Sequence, residues 1–239
     1  MPEQTITTEI AAECLGVKVP ASRFLHETRI ERINSARYEG QEIAGAMHVV
    51  KDNDIVLEIG AGIGLVGAVI AANCKPKSVQ SFEANPELIP AINTLYEAND
   101  LQGRISVQNK ILVSAPDRPG TMPFHLHNSY LGSSLIDEAG RARKTVPVPT
   151  ADFAEVCAAL SPTVLVMDIE GGELELLRHA DLTGFRAIVL EFHPKAYGVG
   201  GMKECKNILR KAGFARIEEK STRLVWTCAR PEAADQSAA

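Results

Sequence analysis

From Asp54 onward, short β-branched runs alternate with longer segments of helical period, the pattern of a parallel sheet covered by helices. The runs predict strands over residues 54–59, 78–82, 105–108, 163–167 and 186–191. An unbroken apolar stretch, 63–74, reads as a buried helix too short to cross a bilayer. A second helix is predicted to take Asn85 as N-cap and Pro86 as first residue and to run to about Asn99. Leu88, Ile92 and Leu95 share one of its faces, and Pro90 lies inside it. Further helices are predicted over 152–160, 172–179 and 202–212. Segments 214–219 and 223–228 predict an antiparallel pair that closes the sheet at seven strands.

The rhythm breaks over 110–150, which is rich in proline and in Asn and Ser and lacks a long helical period; a hairpin plus a loop is expected there. The 239 residues suffice for one large α/β domain, and 45% hydrophobic with 23% charged residues is ordinary for a globular chain. A net charge of -5 argues against a nucleic-acid partner. Cys14, Cys74, Cys157, Cys205 and Cys228 are odd in number, far apart and without a CxxC, so neither a disulfide framework nor structural zinc is expected. With no basic-then-apolar leader at the start, cytoplasmic localisation without membrane association is the expectation.

The strongest chemical signal is Glu58-Ile-Gly-Ala-Gly-Ile-Gly64, directly after a strand and before a helix. Glycines there let the backbone turn sharply and approach a ligand. A dinucleotide turn would need glycine at position 65, where Leu65 stands; the Gly62, Gly64, Gly67 register starts too late. An acid two residues before G-x-G-x-G is instead the S-adenosylmethionine version. Glu83, at the end of the second strand, is placed to take both ribose hydroxyls. Asp168 ends the fourth strand in Asp168-Ile-Glu-Gly-Gly-Glu173, and the fifth ends in Glu191-Phe-His193. Ligands of open α/β sheets bind outside such strand ends, so Asp168 or His193 is the expected general base, with Glu170 and Glu191 orienting it. His125 and His127 lack a third zinc ligand at familiar spacing and are expected in a polar substrate-facing loop. Asp168, Glu191 and His193 are acceptable ligand types for a divalent ion, yet no metal is expected and activity should survive chelation.

These stretches, with Tyr38-Glu39, Phe82–Pro86 and the loop 128–135, resemble the FkbM family of S-adenosylmethionine-dependent methyltransferases over roughly 37–213. The chain departs from the family at Glu58 and Gly62-Ile-Gly64, where Asp and an Ala-Asn-x-Gly turn are commoner. The resemblance implies a Rossmann-like class I methyltransferase fold, with a mostly parallel seven-stranded sheet and an antiparallel C-terminal hairpin. It also implies O-methylation of a hydroxyl on a small molecule such as a natural product or sugar. The expected cofactor-binding set is Glu58, Gly60, Ala61, Gly62, Gly64, Glu83, Ala84, Asn85, Asn109 and Asp168. Residues 1–50 are expected to form a helical cap across the cofactor edge, with Tyr38, Glu39 and Glu42 the ones to watch; 51–230 form the catalytic domain and 231–239 a disordered tail. A homodimer stays open, as do two other functions: an NAD(P)-dependent Rossmann oxidoreductase and a non-catalytic S-adenosylmethionine-binding module.

Overall fold

Where a helical cap was expected, the chain first makes a hairpin, β1 (Ile10–Cys14) and β2 (Val17–Pro20), and only then α1 (Glu27–Asn34) and α2 (Gly40–Val49). The cause is local. Ala12, Cys14, Val17 and Val19 are buried at a two-residue period, and Leu15-Gly16 turns the chain with both residues at positive φ. The structure, a computed structural model, describes residues 9–135 and 142–231. The tail expected to be disordered therefore lies outside the described residues beyond Pro231.

Next come β3 (Ile55–Ile59), α3 (Leu65–Asn73), β4 (Ser78–Phe82), α4 (Ile89–Ala98) and β5 (Ile105–Gln108). Helix α4 begins later than its sequence suggested. The Asn85 Oδ1 accepts the Glu87 amide at 3.0 Å, so 85–88 is a turn, and Pro90 falls in the first helical turn, where its missing N–H costs nothing. The irregular stretch holds β6 (Ile111–Val113), β7 (Thr121–Leu126) and β8 (Lys144–Asp152), a small sheet in the order β6-β8-β7. The expected hairpin is β7–β8; β6, parallel to β8, was not foreseen. The chain continues through α5 (Phe153–Leu160), β9 (Val164–Met167), α6 (Glu173–His179), β10 (Ala187–Glu191), α7 (Pro194–Lys211), β11 (Ala215–Arg216) and β12 (Val225–Ala229). Helix α7 starts well before residue 202, because His193-Pro194 opens it, and it kinks at Gly198, whose φ is 75°.

The seven-stranded sheet runs β11-β12-β10-β9-β3-β4-β5, parallel from β10 to β5 with β12 and β11 antiparallel at one edge. Hydrophobic clusters pack on both faces, and α3 is buried almost all round. All five cysteines are unpaired, and no helix among the described residues is long and apolar enough to cross a membrane. From β3 the chain winds outward to β4 and β5, then returns to place β9 on the other side of β3. A crevice opens at such a switch point, and the turn after β3 faces Asp168 after β9 across it.

Candidate functional site

The three glycines after β3 all have positive φ (86°, 56° and 84° at Gly60, Gly62 and Gly64), but for different reasons. A Cβ on Gly60 would enter the Asp168 carbonyl at the end of β9, and one on Gly64 would press on Ile92 and Tyr96 of α4. Gly62 faces the crevice: a Cβ there would meet nothing nearer than the Glu39 Oε1 at 3.5 Å. Glu58 and Ala61 do not line the cavity. Only 2% exposed, Glu58 accepts the Ser81 hydroxyl and the Gly67 amide, which pins the start of α3, and burial pushes its carboxyl up to about 7.

A cavity of about 160 Å³ opens beside the turn. Glu83 is fixed in it by two backbone amides, Gly62 N on Oε2 at 2.8 Å and Asn85 N on Oε1 at 2.7 Å. The neighbouring Ala61 and Ala84 amides also contribute hydrogen bonds that favour its ionised form. Burial pushes this carboxyl up to about 7 as well. Ala84 and Asn85 line the cavity with it. Asn109 does not; its Nδ2 donates to the Glu83 and Ala84 carbonyls at 2.8 and 3.0 Å and so positions the strand end. The far wall is an apolar slot of Ile111, Leu112, Met122, Phe124 and Leu135. Sequence reasoning missed it, because these residues come from the small irregular sheet and carry no motif.

A second chamber adjoins the first, and Glu39, Asp168 and Glu170 line both. His193, the N-cap of α7, stands at this junction. Its Nδ1 bonds the Glu173 Oε1 at 2.7 Å, while Nε2 faces the Glu170 Oε2 at 3.3 Å and the Asp168 Oδ1 at 3.6 Å. Glu170 and Glu173 converge on the imidazole because the chain turns between them, Glu170 and Gly171 both having positive φ. Orientation of His193 thus falls to the fully buried Glu173 rather than to Glu191, which is hydrogen-bonded to Glu42. Burial alone would depress the His193 imidazole, but the Glu173 hydrogen bond and the surrounding carboxylates outweigh it and raise its pKa. Burial, reinforced by Glu191 and Glu170, holds the Asp168 carboxyl well above the usual range. The ligand atoms of Asp168, Glu170 and His193 lie within 4.8 Å of one another, close enough to share a proton or a divalent ion.

Glu39 was noted in the sequence without a role. It sits in a left-handed conformation (φ 46°) before α2, and burial pushes its carboxyl up to about 8. Beside it the Tyr38 and Tyr130 hydroxyls share a hydrogen bond at 2.5 Å. The positive φ of Glu39, invisible to hydrophobic patterning, is what turns it inward. His125 and His127, expected to face substrate, line neither cavity; the His125 Nδ1 is spent on the Thr145 hydroxyl at 3.0 Å.

Glu58, Glu83, Glu191 (about 7 each) and Glu39 (about 8) all lie above the ordinary carboxyl value of 4.5, so the fold favours their neutral forms. That stability is complete below the unfolded value and is lost as pH rises through 7 to 8; raised His193 acts in the same direction. The melting temperature of the ligand-free protein should therefore fall between about pH 5 and about pH 8.5. A rise across that interval in a thermal-shift series would refute the desolvation of these acids.

Residues 58–216 match the methyltransferase FkbM domain. No curated protein matches the chain by sequence. Among solved structures it resembles ribosomal protein L11 methylase from Lactobacillus delbrueckii subsp. bulgaricus, at 14% identity over 80% of this chain and 77% of that one, TM-score 0.48. It also resembles precorrin-6y C5,15-methyltransferase from Geobacter metallireducens GS-15 (13%, 87% and 90%, 0.46). A third likeness is to M. capricolum TrmK in complex with S-adenosyl-homocysteine (10%, 81% and 71%, 0.43). None of these likenesses bears on the acceptor. The domain match covers the glycine turn, Glu83, Asp168 and His193 together, and the chain belongs to the FkbM family of S-adenosylmethionine-dependent methyltransferases.

Proposed function

We propose that the protein methylates a hydroxyl oxygen of a small molecule, such as a natural product or sugar, in a reducing cytoplasm where its five thiols stay free. The observation that carries this reading is the junction: Glu39, Asp168 and Glu170 line both chambers, so a donor in one meets an acceptor in the other at a bank of proton acceptors. The residues present fit the donor. Gly62 offers a cradle that a side chain would fill, Glu83 lines the cavity with a carboxyl held rigidly for the ribose hydroxyls, and the apolar residues suit a purine face. When bound, S-adenosylmethionine supplies an activated methyl group; the oxygen–carbon bond forms as the carbon–sulfur bond breaks, leaving S-adenosylhomocysteine. The protein aligns the oxygen and takes its proton. Asp168 is our choice of base, because its Oδ1 is buried with no hydrogen-bond partner among the described residues and its carboxyl holds a proton readily. His193, held in place by Glu173, orients that carboxylate together with Glu170, and Glu191 lines the acceptor side.

Incubation with methyl-labelled S-adenosylmethionine and matched panels of hydroxyl, amine and thiol compounds tests the reading. Label is expected in base-stable methyl ethers; label appearing in amines or thiols alone would overturn it. Turnover is expected to survive exhaustive chelation, which a rate lost on chelation and restored by a divalent ion would contradict. Glu83→Gln should weaken S-adenosylhomocysteine binding about ten- to a hundred-fold, the worth of one charge-assisted bond of roughly 1.5–3 kcal/mol. Unchanged affinity in a calorimetric titration would remove Glu83 from the ribose.

A further inference from the structure

The acceptor chamber is lined by groups of opposite charge. Asp168, Glu170, Glu191 and His193 line it from the sheet's strand ends, while α1 contributes Arg29 and Arg32, neighbours on one helix face. Arg29 is only 7% exposed. Its guanidinium sits over the Tyr130 ring, 4.4 Å from the centroid, and one N–H donates to the Phe24 carbonyl. No carboxylate among the described residues pairs with it. Arg32 likewise reaches only a carbonyl, that of Arg37, at 3.3 Å. Arg37 differs, being neutralised by Glu31 at 3.0 Å. Only one Arg29 N–H meets a protein acceptor among the described residues, and the other guanidinium nitrogens are not sealed from solvent, so they are open to an anion.

We propose that Arg29 and Arg32 form a receptor for an oxyanion, a carboxylate or phosphate, carried by the methyl acceptor. The inference rests on the O-methylation reading for the hydroxyl end of that molecule; the anionic end stands on the arginines alone. Such an acceptor has one favourable orientation: anion against α1, hydroxyl at the carboxyl groups of the strand ends. The reverse would set the anion against these carboxyl groups and leave the arginines unpaired, which disfavours it. The carboxylate of the cofactor's own methionine is the other available oxyanion. Arg29, however, lines the acceptor chamber and not the donor cavity, and the Tyr130 ring, whose edge approaches Gly62, stands beneath it.

The test titrates inorganic phosphate into protein saturated with S-adenosylhomocysteine, using wild type, Arg29→Gln and Arg32→Gln. Wild type should bind phosphate about ten-fold more tightly than either variant, the scale of one charge-assisted contact. Absent phosphate binding, or binding unchanged in both variants, would overturn the proposal. If Arg29→Gln fails to fold, the exposed Arg32 carries the comparison. S-adenosylhomocysteine affinity is expected to hold in Arg29→Gln. A loss there, with 5′-deoxy-5′-methylthioadenosine binding intact, would assign the arginine to the cofactor's carboxylate and also overturn the proposal. In turnover, the anionic members of matched pairs (a sugar phosphate and its sugar, a hydroxy acid and its amide) should be preferred. Failure of the O-methylation reading would leave neither member methylated while the phosphate result stands.

Discussion

Gly60→Ala should cost the protein roughly 2–5 kcal/mol of stability and abolish cofactor binding, although it adds a single methyl group. Two penalties combine. A φ of 86° is foreign to residues with a Cβ, and the added carbon would lie within the Asp168 carbonyl, which is backbone and can yield only if β9 moves. Since β9 is paired to β3 along its length and carries Asp168 at its end, displacing it disturbs both chambers. For a domain this size, the melting temperature should fall by about 5–15 °C. Gly62→Ala is the contrast: its φ of 56° also strains a residue with a Cβ, but the added carbon meets nothing nearer than 3.5 Å, so the loss should be smaller and the fold should persist while the cavity wall is altered. Thermal shifts with and without S-adenosylhomocysteine separate the two. Wild-type stability and binding in Gly60→Ala would mean that the strand ends lie farther apart than described.

The second large effect concerns the base. Asp168→Asn should lower turnover about a hundred- to ten-thousand-fold while changing S-adenosylhomocysteine affinity far less. A carboxylate base with an ordinary pKa would leave the rate flat near neutrality, so a rising pH profile might be taken as the signature of histidine. Here that reading fails, because Asp168 and His193 are both raised and a base is active only after losing its proton. Turnover should rise with pH whichever serves. His193→Ala discriminates between them: removing a positive charge beside Asp168 raises the carboxyl further, so the profile should move to higher pH with activity recovering there. Loss of activity at every pH in His193→Ala, with near-native rates in Asp168→Asn, would transfer the role to the imidazole.

Much of this was legible in the chain because it is local. The alternating runs mark every parallel strand of the large sheet, and the glycine turn, Glu83 and Asp168 are each tied to the end of such a strand. What escaped depends on contacts distant in sequence or on backbone dihedrals. Nothing near Glu173 says that its carboxylate reaches His193, and nothing near Glu39 says that a positive φ turns it into the cavity. Glu58 shows the opposite failure. Its motif position suggests a ligand contact, yet the same position buries it beneath α3, where the Ser81 hydroxyl satisfies it. The N-terminal hairpin was overlooked because a two-residue period over so few positions is easily read as the edge of a helix.

The two chambers draw on different parts of the chain. Walls of the cavity beside the glycine turn come mostly from 59–135 and 168–176, whereas the second chamber is lined mainly by 26–42 and 222–225, with Ser129, Glu191 and His193. Shared residues are confined to Glu39, Asp168 and Glu170. Substitutions in α1 or in the loop before β12 can therefore reshape the second chamber while leaving the walls of the cavity at the glycine turn as they are, so the two can be altered independently.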